Sequence, residues 1–230
     1  MKREVQPELL DTLPLDDPRA RRSRRDLCRV NAWMGNGVIL ARALRDSANG
    51  RVPGQILELG AGDGHLLLRV ARTLAPLWPE VEVTLLDQQS LVEARTLAEY
   101  AALGWRAGIQ LGDVFELIAH QSIPLDIVTT NLFLHHFPAE QLKELFGAMA
   151  DRARLFVAIE PRRGAWPLFC SRLLGAIGCN AVTRHDARVS VRAGFAASEL
   201  SSLWPQSAQW ELSERRAGLF SHLFVAQRRS

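Results

Sequence analysis

A glycine-rich turn after an apolar run is the strongest chemical signal in this sequence. Ile56-Leu57-Glu58-Leu59 predicts a short buried strand, and Gly60, Gly62 and Gly64 alternate directly after it. Glycines between a strand and a helix let the backbone turn sharply and approach a ligand closely. The turn therefore predicts a ligand site at the carboxyl edge of a sheet, with Glu58 orienting the loop.

The spacing of this turn distinguishes between two kinds of nucleotide ligand. A dinucleotide-binding turn follows the pattern GxGxxG, whose third glycine allows close helix packing, but His65 stands at that position here. Asp63 would also repel a diphosphate placed at the following helix N-terminus. A cationic or neutral ligand is expected instead.

Polar side chains end the next predicted strands as well. Asp87, which follows Gly60 by 27 residues, ends a strand over 81–87 and is placed to accept both hydroxyls of a ribose. Asp113 follows a strand over 109–111 and is placed to accept an adenine amine, and Asn131 follows a strand over 125–130. A helix cap for Asp87 and a solvated turn for Asp113 remain open alternatives.

Histidines supply the candidate general bases. His135 and His136 lie just past the fourth predicted strand, and an imidazole that titrates near neutrality suits proton transfer. Because adjacent side chains diverge, at most one of them is expected to face a pocket, and packing or a helix-start hydrogen bond is the alternative. His185, beside Asp186, is the rival base. No metal site is predicted, since the three cysteines are widely spaced.

The elements that position these residues alternate between strands and helices. Helices are predicted over 65–74, 91–103 and 139–152, and a fifth strand over 155–159. Helices between successive strands require parallel crossovers and hence a doubly wound α/β sheet. Towards the C-terminus we expect a helix over 166–177, a loop or short strand over 181–192, a helix over 196–204 and a final hairpin from 210–213 to 219–225.

The first fifty residues have a different character. Apolar residues recur at helical spacing from about residue 22 to 47, with Gly35 and Gly37 as a break. We therefore expect an N-terminal helical extension over 1–50 and a main domain over 51–230. Six arginines crowd positions 19–29, which favours a solvated helix face or contact with phosphates.

Composition limits the class of protein. The 230 residues are 47% hydrophobic and 23% charged, with a net charge of +3, which fits one globular core and excludes intrinsic disorder and a membrane bundle. No apolar run follows Met1, so no signal peptide and no membrane span are predicted, and the cytoplasm is the expected compartment. The oligomeric state is left undetermined.

Together, the strand-end motifs resemble those of the class I S-adenosylmethionine-dependent methyltransferases, well over residues 50–160. The resemblance implies a mostly parallel seven-stranded sheet with a reversed last strand, a helical insertion after the fifth strand, and S-adenosylmethionine as cofactor. The residues it implies for cofactor binding are Glu58, Gly60, Ala61, Gly62, Gly64, Asp87, Gln88, Asp113, Val114, Asn131 and Leu132.

Residues 181–204 further resemble small-molecule methyltransferases of quinone and polyketide-like biosynthesis. The expected reaction is O- or C-methylation of a hydrophobic small-molecule acceptor, of phenolic, quinone or polyketide-like chemistry. Trp33, Met34, Trp166 and Phe169 are predicted to bind this acceptor as a lid, with ordinary packing as the alternative.

Two other enzyme classes compete with this prediction. A pI of 9.1 and the arginine run favour a nucleic-acid methyltransferase, but no Asn-Pro-Pro-aromatic motif follows the fourth strand, and no nucleic-acid partner is expected. A nicotinamide-dependent oxidoreductase is disfavoured by His65 and by the absence of a Tyr-x-x-x-Lys pair, since Tyr100 is the only tyrosine.

Overall fold

A twisted sheet with helices on both faces forms the centre of the protein, as seen in a computed structural model that describes residues 1–120, 124–206 and 208–229. The strands are β1 (Gln55–Leu59), β2 (Glu82–Asp87), β3 (Arg106–Leu111), β4 (Leu125–Asn131), β5 (Ala153–Pro161), β6 (Trp210–Ala217) and β7 (Ser221–Arg228). The helices are α1 (Leu9–Thr12), α2 (Pro18–Met34), α3 (Asn36–Ser47), α4 (His65–Leu74), α5 (Ala94–Ala102), α6 (Val114–His120), α7 (Ala139–Arg152), α8 (Ala165–Arg172), α9 (Ala181–Ala193) and α10 (Glu199–Leu203), with short 3₁₀ helices at Leu134–His136 and Leu173–Gly175.

The strand order is β3-β2-β1-β4-β5-β7-β6. Strands β1 to β5 pair in parallel, whereas β7 runs antiparallel to both β5 and β6. The order in which successive strands are added to the sheet therefore reverses between β1 and β4, and polar residues that end these parallel strands meet at one edge of the sheet. The predicted doubly wound, mostly parallel seven-stranded sheet with a reversed last strand is confirmed.

Two apolar layers hold the helices against the sheet. On one face, side chains of α3, α4 and α5, such as Leu44, Val70 and Tyr100, pack on the strands. On the other face, Phe146 of α7 packs edge-on against Phe156 of β5, with ring centroids 5.5 Å apart, and Trp204 lies beside both rings. Burial on both faces explains why the central strands are apolar runs rather than alternating patterns.

The N-terminal extension consists of α2 and α3, which meet at Gly35. Gly35 has φ +71°, a left-handed conformation that glycine adopts without strain, and its N–H donates to the carbonyl of Ala32. The predicted break is thus confirmed at Gly35, but Gly37 lies inside α3. Helix α2 begins earlier than expected, at Pro18, because Asp17 accepts a hydrogen bond from the N–H of Arg19.

The segment over 181–192 corrects the sequence prediction, because it forms helix α9 rather than a loop or short strand. Asn180 caps the helix by accepting from the N–H of Thr183 at 2.8 Å. Buried Val182, Val189 and Ala193 recur at helical spacing, but the buried polar residues between them hide the apolar pattern. Helix α6 was not predicted from the sequence.

The described part of the chain contains no helix with the length and apolarity needed to cross a bilayer.

Candidate functional site

A cleft with a volume of about 890 Å³ opens at the carboxyl ends of β1, β2 and β4. Helix α2 and residues 8, 10 and 11 of the N-terminal segment (residues 3–12) form its opposite wall. Most of the predicted cofactor residues line it, namely Glu58, Gly60, Ala61, Gly62, Asp87, Gln88, Val114, Asn131 and Leu132. The remaining two, Gly64 and Asp113, are not among the lining residues.

Backbone geometry explains the glycine at position 60. Gly60 has φ +67°, and a Cβ atom built there would lie only 2.4 Å from Cδ2 of Phe133. Gly62 has φ +57° with no atom within 4 Å of its Cβ position, and its N–H donates to Oδ2 of Asp87 at 2.8 Å. The turn therefore runs against the Phe133 ring on one side and exposes its backbone to the cleft on the other.

The N-terminus of α4 already carries an acid. The N–H of His65 donates to Oδ1 of Asp63 at 3.1 Å, and the His65 ring also lies 3.1 Å from Asp63. A diphosphate needs this position free and without a negative charge, so the site does not suit a dinucleotide. This geometry agrees with the expectation drawn from the spacing of the turn.

Gly64 and Asp113 contribute to local structure. The carbonyl of Gly64 accepts from the hydroxyl of Tyr100 at 2.9 Å, which ties the turn to α5. Asp113 accepts from the N–H of Phe115 at 2.7 Å, at the start of α6, and from the side chain of Gln88 at 2.6 Å. These contacts match the turn alternative for Asp113, and direct contact of either residue with a cofactor stays a prediction.

Three acidic residues, Glu58, Asp63 and Asp87, line the floor of the cleft. Asp87 accepts backbone N–H groups through both oxygens, from Gly62 and from Gln89 at 2.9 Å, which fixes its carboxylate at the strand end. Burial first, and then the negative charges of Asp63 and Asp87, raise the pKa of Glu58 well above its ordinary value. Its buried Oε2 has no hydrogen-bond partner in the part of the chain that the structure describes. A positively charged ligand with a nucleoside moiety fits this combination of acids and open backbone.

His135 is held between two carboxylates in the interior. Its Nδ1 lies 2.8 Å from Oε2 of Glu160 and its Nε2 lies 3.3 Å from Oε1 of Glu8. Burial alone would lower the pKa of His135, but the hydrogen bonds to Glu160 and Glu8 outweigh it and raise the pKa to about 9. The raised pKa of His135 favours the protonated ring at neutral pH, and both ring nitrogens face carboxylates. This arrangement does not favour His135 as a general base, and its catalytic role stays a prediction.

Glu160 also fixes the backbone that carries the histidines. Its two oxygens accept the N–H groups of Phe133 at 3.0 Å, Leu134 at 2.8 Å and His135 at 3.2 Å. Leu132, directly before them, has φ +53°, a conformation that costs a non-glycine residue roughly 1 kcal/mol. The buried carboxylate thus stabilises a strained turn at the edge of the cleft.

His136 has the opposite electrostatic character. Burial, followed by the positive charge of His135, lowers the pKa of His136 to about 4, so the imidazole is neutral at pH 7. Its ring lines the cleft, and Nδ1 lies 3.5 Å from Oδ2 of Asp11. Of the two adjacent histidines, His136 is therefore the one whose protonation state suits proton abstraction.

The other predicted catalytic and acceptor residues lie elsewhere. His185 is half exposed on α9, 3.1 Å from Asp186, and is not among the cleft-lining residues. Trp33, Trp166 and Phe169 are 75%, 54% and 51% exposed and, like Met34, are absent from the cleft lining. Their role in acceptor binding stays a prediction that this arrangement does not support.

Sequence reasoning missed the acids around the histidines. Glu8 and Asp11 come from the N-terminal segment, and no local pattern connects them to residues more than a hundred positions away. Glu160 ends β5 next to β4, so the rule that parallel strands end at one edge would have placed it near His135.

Glu8, His135 and His136 also bring possible metal-ligand atoms within 4.8 Å of one another. However, Nε2 of His135 faces Oε1 of Glu8 at 3.3 Å, and a protonated ring would have to lose its proton before this nitrogen could bind a metal ion.

The fold and the cleft together agree with one class of protein. A cleft at the point where the strand order β3-β2-β1-β4-β5-β7-β6 reverses, with an acid already at the N-terminus of α4, agrees with the expected resemblance to the class I S-adenosylmethionine-dependent methyltransferases. In sequence, residues 56–154 match the family described as "Methyltransferase domain". This match spans less than half of the chain, and together with the fold it indicates a methyltransferase domain.

Solved structures share this fold at low sequence identity. The plantazolicin methyltransferase BamL, solved with a triazolic desmethylPZN analog and SAH, is 13% identical with a TM-score of 0.65, covering 96% of this chain and 93% of that chain. A putative O-methyltransferase from Nostoc punctiforme PCC 73102 is 15% identical with a TM-score of 0.62, and the match covers 98% of this chain and 64% of that chain. The mitomycin 7-O-methyltransferase MmcR is 20% identical with a TM-score of 0.60, and the match covers 96% of this chain and 60% of that chain.

The present chain therefore spans less than two thirds of the length of the last two proteins. No curated protein matches the chain by sequence.

Proposed function

We propose that this enzyme transfers a methyl group to a hydroxyl oxygen of a hydrophobic small molecule of phenolic or enolic type. The observation that carries the proposal is a neutral imidazole, His136, lining the cleft beside the strand-end turn of β4. Leu10, Leu27, Phe133 and Phe137 line the same cleft and supply apolar surface. Two of the similar structures, the putative O-methyltransferase from Nostoc punctiforme PCC 73102 and the mitomycin 7-O-methyltransferase MmcR, support the same acceptor chemistry.

We assign the donor to the side of the cleft formed by the glycine turn. The backbone of Gly60 to Gly62 provides a surface for the amino-acid part, Asp87 provides carboxylate oxygens for the ribose hydroxyls, and Val114 provides apolar contact for the adenine. When bound, S-adenosylmethionine supplies an electrophilic methyl group on a positively charged sulfur. The carboxyl group of Glu58, whose Oε2 lacks a partner among the described residues, suits the polar end of the donor.

His136 acts on the acceptor. With Nδ1 directed towards Asp11, its Nε2 is free to receive the proton of the acceptor hydroxyl. A histidine with a pKa of about 4 is a weak base, but a hydroxyl oxygen becomes strongly acidic as it is methylated. Holding the two reactants together contributes more than the proton transfer, because good orientation is worth roughly 7 to 11 kcal/mol.

His135 positions this base. It lies next to His136 with ring centroids 4.3 Å apart, and its link to Glu8 fixes the N-terminal segment over the cleft. The segment is held at further points: Arg3 donates to the carbonyl of Phe137 at 2.8 Å and to that of Ala193 at 2.7 Å. We therefore expect the segment to exclude water from the acceptor side.

The test is single-turnover transfer from S-adenosylmethionine to a panel of phenolic acceptors. His136→Gln should lower the rate of transfer by about 10² to 10⁴ fold, with unchanged binding of S-adenosylhomocysteine in calorimetry. His185→Gln is the matched control and should retain the wild-type rate. Wild-type transfer in His136→Gln would refute its role as base, and failure of every phenol and enol would refute the acceptor class.

A further inference from the structure

The surface of α8 and the residues that follow it exposes a continuous row of large apolar side chains. Trp166, Phe169, Leu173 and Ile177 are 54%, 51%, 51% and 40% exposed, and they follow one another at helical spacing. We call these four residues the α8 surface. The Trp166 and Phe169 rings lie 6.0 Å apart, and the row continues past the end of α8 through the 3₁₀ helix Leu173–Gly175 to Ile177.

The opposite side of this segment is the one that packs on the protein. Pro167, Ser171 and Cys179 are buried, and α8 contacts α9. Neither the core nor the cleft therefore requires the α8 surface to be apolar. Adjacent exposed side chains of this size are uncommon on soluble proteins unless they contact something.

The charges around the α8 surface are positive. No aspartate or glutamate occurs from Pro161 to His185. Arg172 lies within the row, Arg184 lies 3.2 Å from the Cβ position of Gly175, and Arg22 donates to the carbonyl of Gly178 at 3.0 Å. Three guanidinium groups therefore border the α8 surface. That of Arg22 also lies 3.9 Å from a carboxylate oxygen of Asp26, whereas Arg172 and Arg184 have no ion pair with an acid among the described residues.

We propose that the α8 surface docks the enzyme reversibly on a lipid bilayer that carries anionic headgroups. Trp, Phe and Leu on one face of a helix enter the boundary between headgroups and acyl chains, and arginines at the edge pair with lipid phosphates. No helix in the described residues is long and apolar enough to span a bilayer, so the contact is with its surface. This proposal does not depend on the acceptor proposed above.

A second copy of the chain is a poorer binding partner for the α8 surface than a lipid bilayer is. A two-fold interface would place the α8 surface of one copy against that of the other. Arg22, Arg172 and Arg184 would then face their own counterparts, and the α8 surface offers no acid between 161 and 185 to neutralise them. Lipid phosphates supply the missing negative charge.

Flotation with vesicles tests the proposal on the full chain. We expect binding to phosphatidylcholine vesicles that contain phosphatidylglycerol, and binding at least about 10-fold weaker to pure phosphatidylcholine. The double variant Trp166→Ser/Phe169→Ser should lower binding to the anionic vesicles by more than about 10-fold, because two large apolar side chains no longer enter the membrane. Arg172→Glu should reduce the preference for the anionic vesicles.

Leu77→Ser is the matched control, since Leu77 is 56% exposed in the turn between α4 and β2. It should bind vesicles like the wild type. Thermal unfolding and S-adenosylhomocysteine binding show that each variant is folded. The proposal is overturned if the wild type binds neither kind of vesicle, or if the double variant binds as well as the wild type. A wild-type dimer that the double variant abolishes, without vesicle binding, would instead assign the α8 surface to a second copy.

Discussion

The buried charge on His135 predicts that the fold loses stability as the pH rises from neutral to alkaline values. The pKa of His135 is raised from an ordinary value of 6.5 to about 9 in the folded protein, so folding favours the protonated ring. The resulting stabilisation is fully present below about pH 6.5 and is lost as the pH rises through about 9. The difference between the two pKa values corresponds to roughly 3 kcal/mol of folding free energy. Solvent screening does not reduce this figure, because His135 is only 3% exposed.

Urea unfolding at a series of pH values measures this loss. The free energy of unfolding of the wild type should fall by about 3 kcal/mol between about pH 6 and about pH 9.5. Glu8→Gln removes one of the two carboxylates but keeps a polar group of the same size. It should therefore fold, and its stability should change less over the same interval because the pKa of His135 is lower.

His185→Gln is the control, because His185 is half exposed on α9 and is not held between two buried carboxylates. This variant should show the same change of unfolding free energy with pH as the wild type. A wild-type stability that stays constant within about 1 kcal/mol from neutral pH to about pH 9.5 would refute a charged His135. An identical pH dependence in Glu8→Gln would show that the Glu8 carboxylate is not part of the cause.

Four further substitutions test the turn and the N-terminal segment. Gly60→Ala should lower the free energy of unfolding by about 2 to 4 kcal/mol, since its Cβ would lie 2.4 Å from Phe133. Gly62→Ala should lower the free energy of unfolding by only about 1 kcal/mol, because no atom lies near its Cβ position. Equal losses of the two variants in urea unfolding would contradict this difference. Arg3→Met should destabilise the protein by about 1 to 3 kcal/mol, because the carbonyls that Arg3 binds lose their donor. It should also raise the KM for the acceptor more than the Kd of the donor. An unchanged KM would argue against a cleft wall formed by the N-terminal segment. The carboxylate of Asp186 accepts the N–H groups of Leu9 and Leu10 at the start of α1, and Asp186→Asn weakens these hydrogen bonds. Limited proteolysis should therefore cleave the N-terminal segment faster in this variant. An unchanged rate of cleavage would contradict the role of Asp186 in holding the segment.

Local patterns in the sequence predicted most of the residues that line the cleft around the glycine turn. The alternation of strands and helices, the glycine turn and the acids at strand ends follow from turn chemistry and periodicity, which act between near neighbours. Because parallel strands end at one edge, Asp87 and Asn131 were expected beside Gly60, and all three line the cleft. The same local rules failed at α9, where buried polar residues interrupt the apolar pattern.

The sequence by itself therefore determined the fold class and the edge of the sheet at which the cleft opens. Only the tertiary structure distinguished the protonation states of His135 and His136, because their pKa values depend on burial and on carboxylates contributed by Glu8 and Glu160. The partners Glu8 and His135 are 127 positions apart, and their contact exists only after the N-terminal segment has crossed the sheet edge. Periodicity and spacing carry no information about such a distant pair, whereas packing fixes both its geometry and its charge.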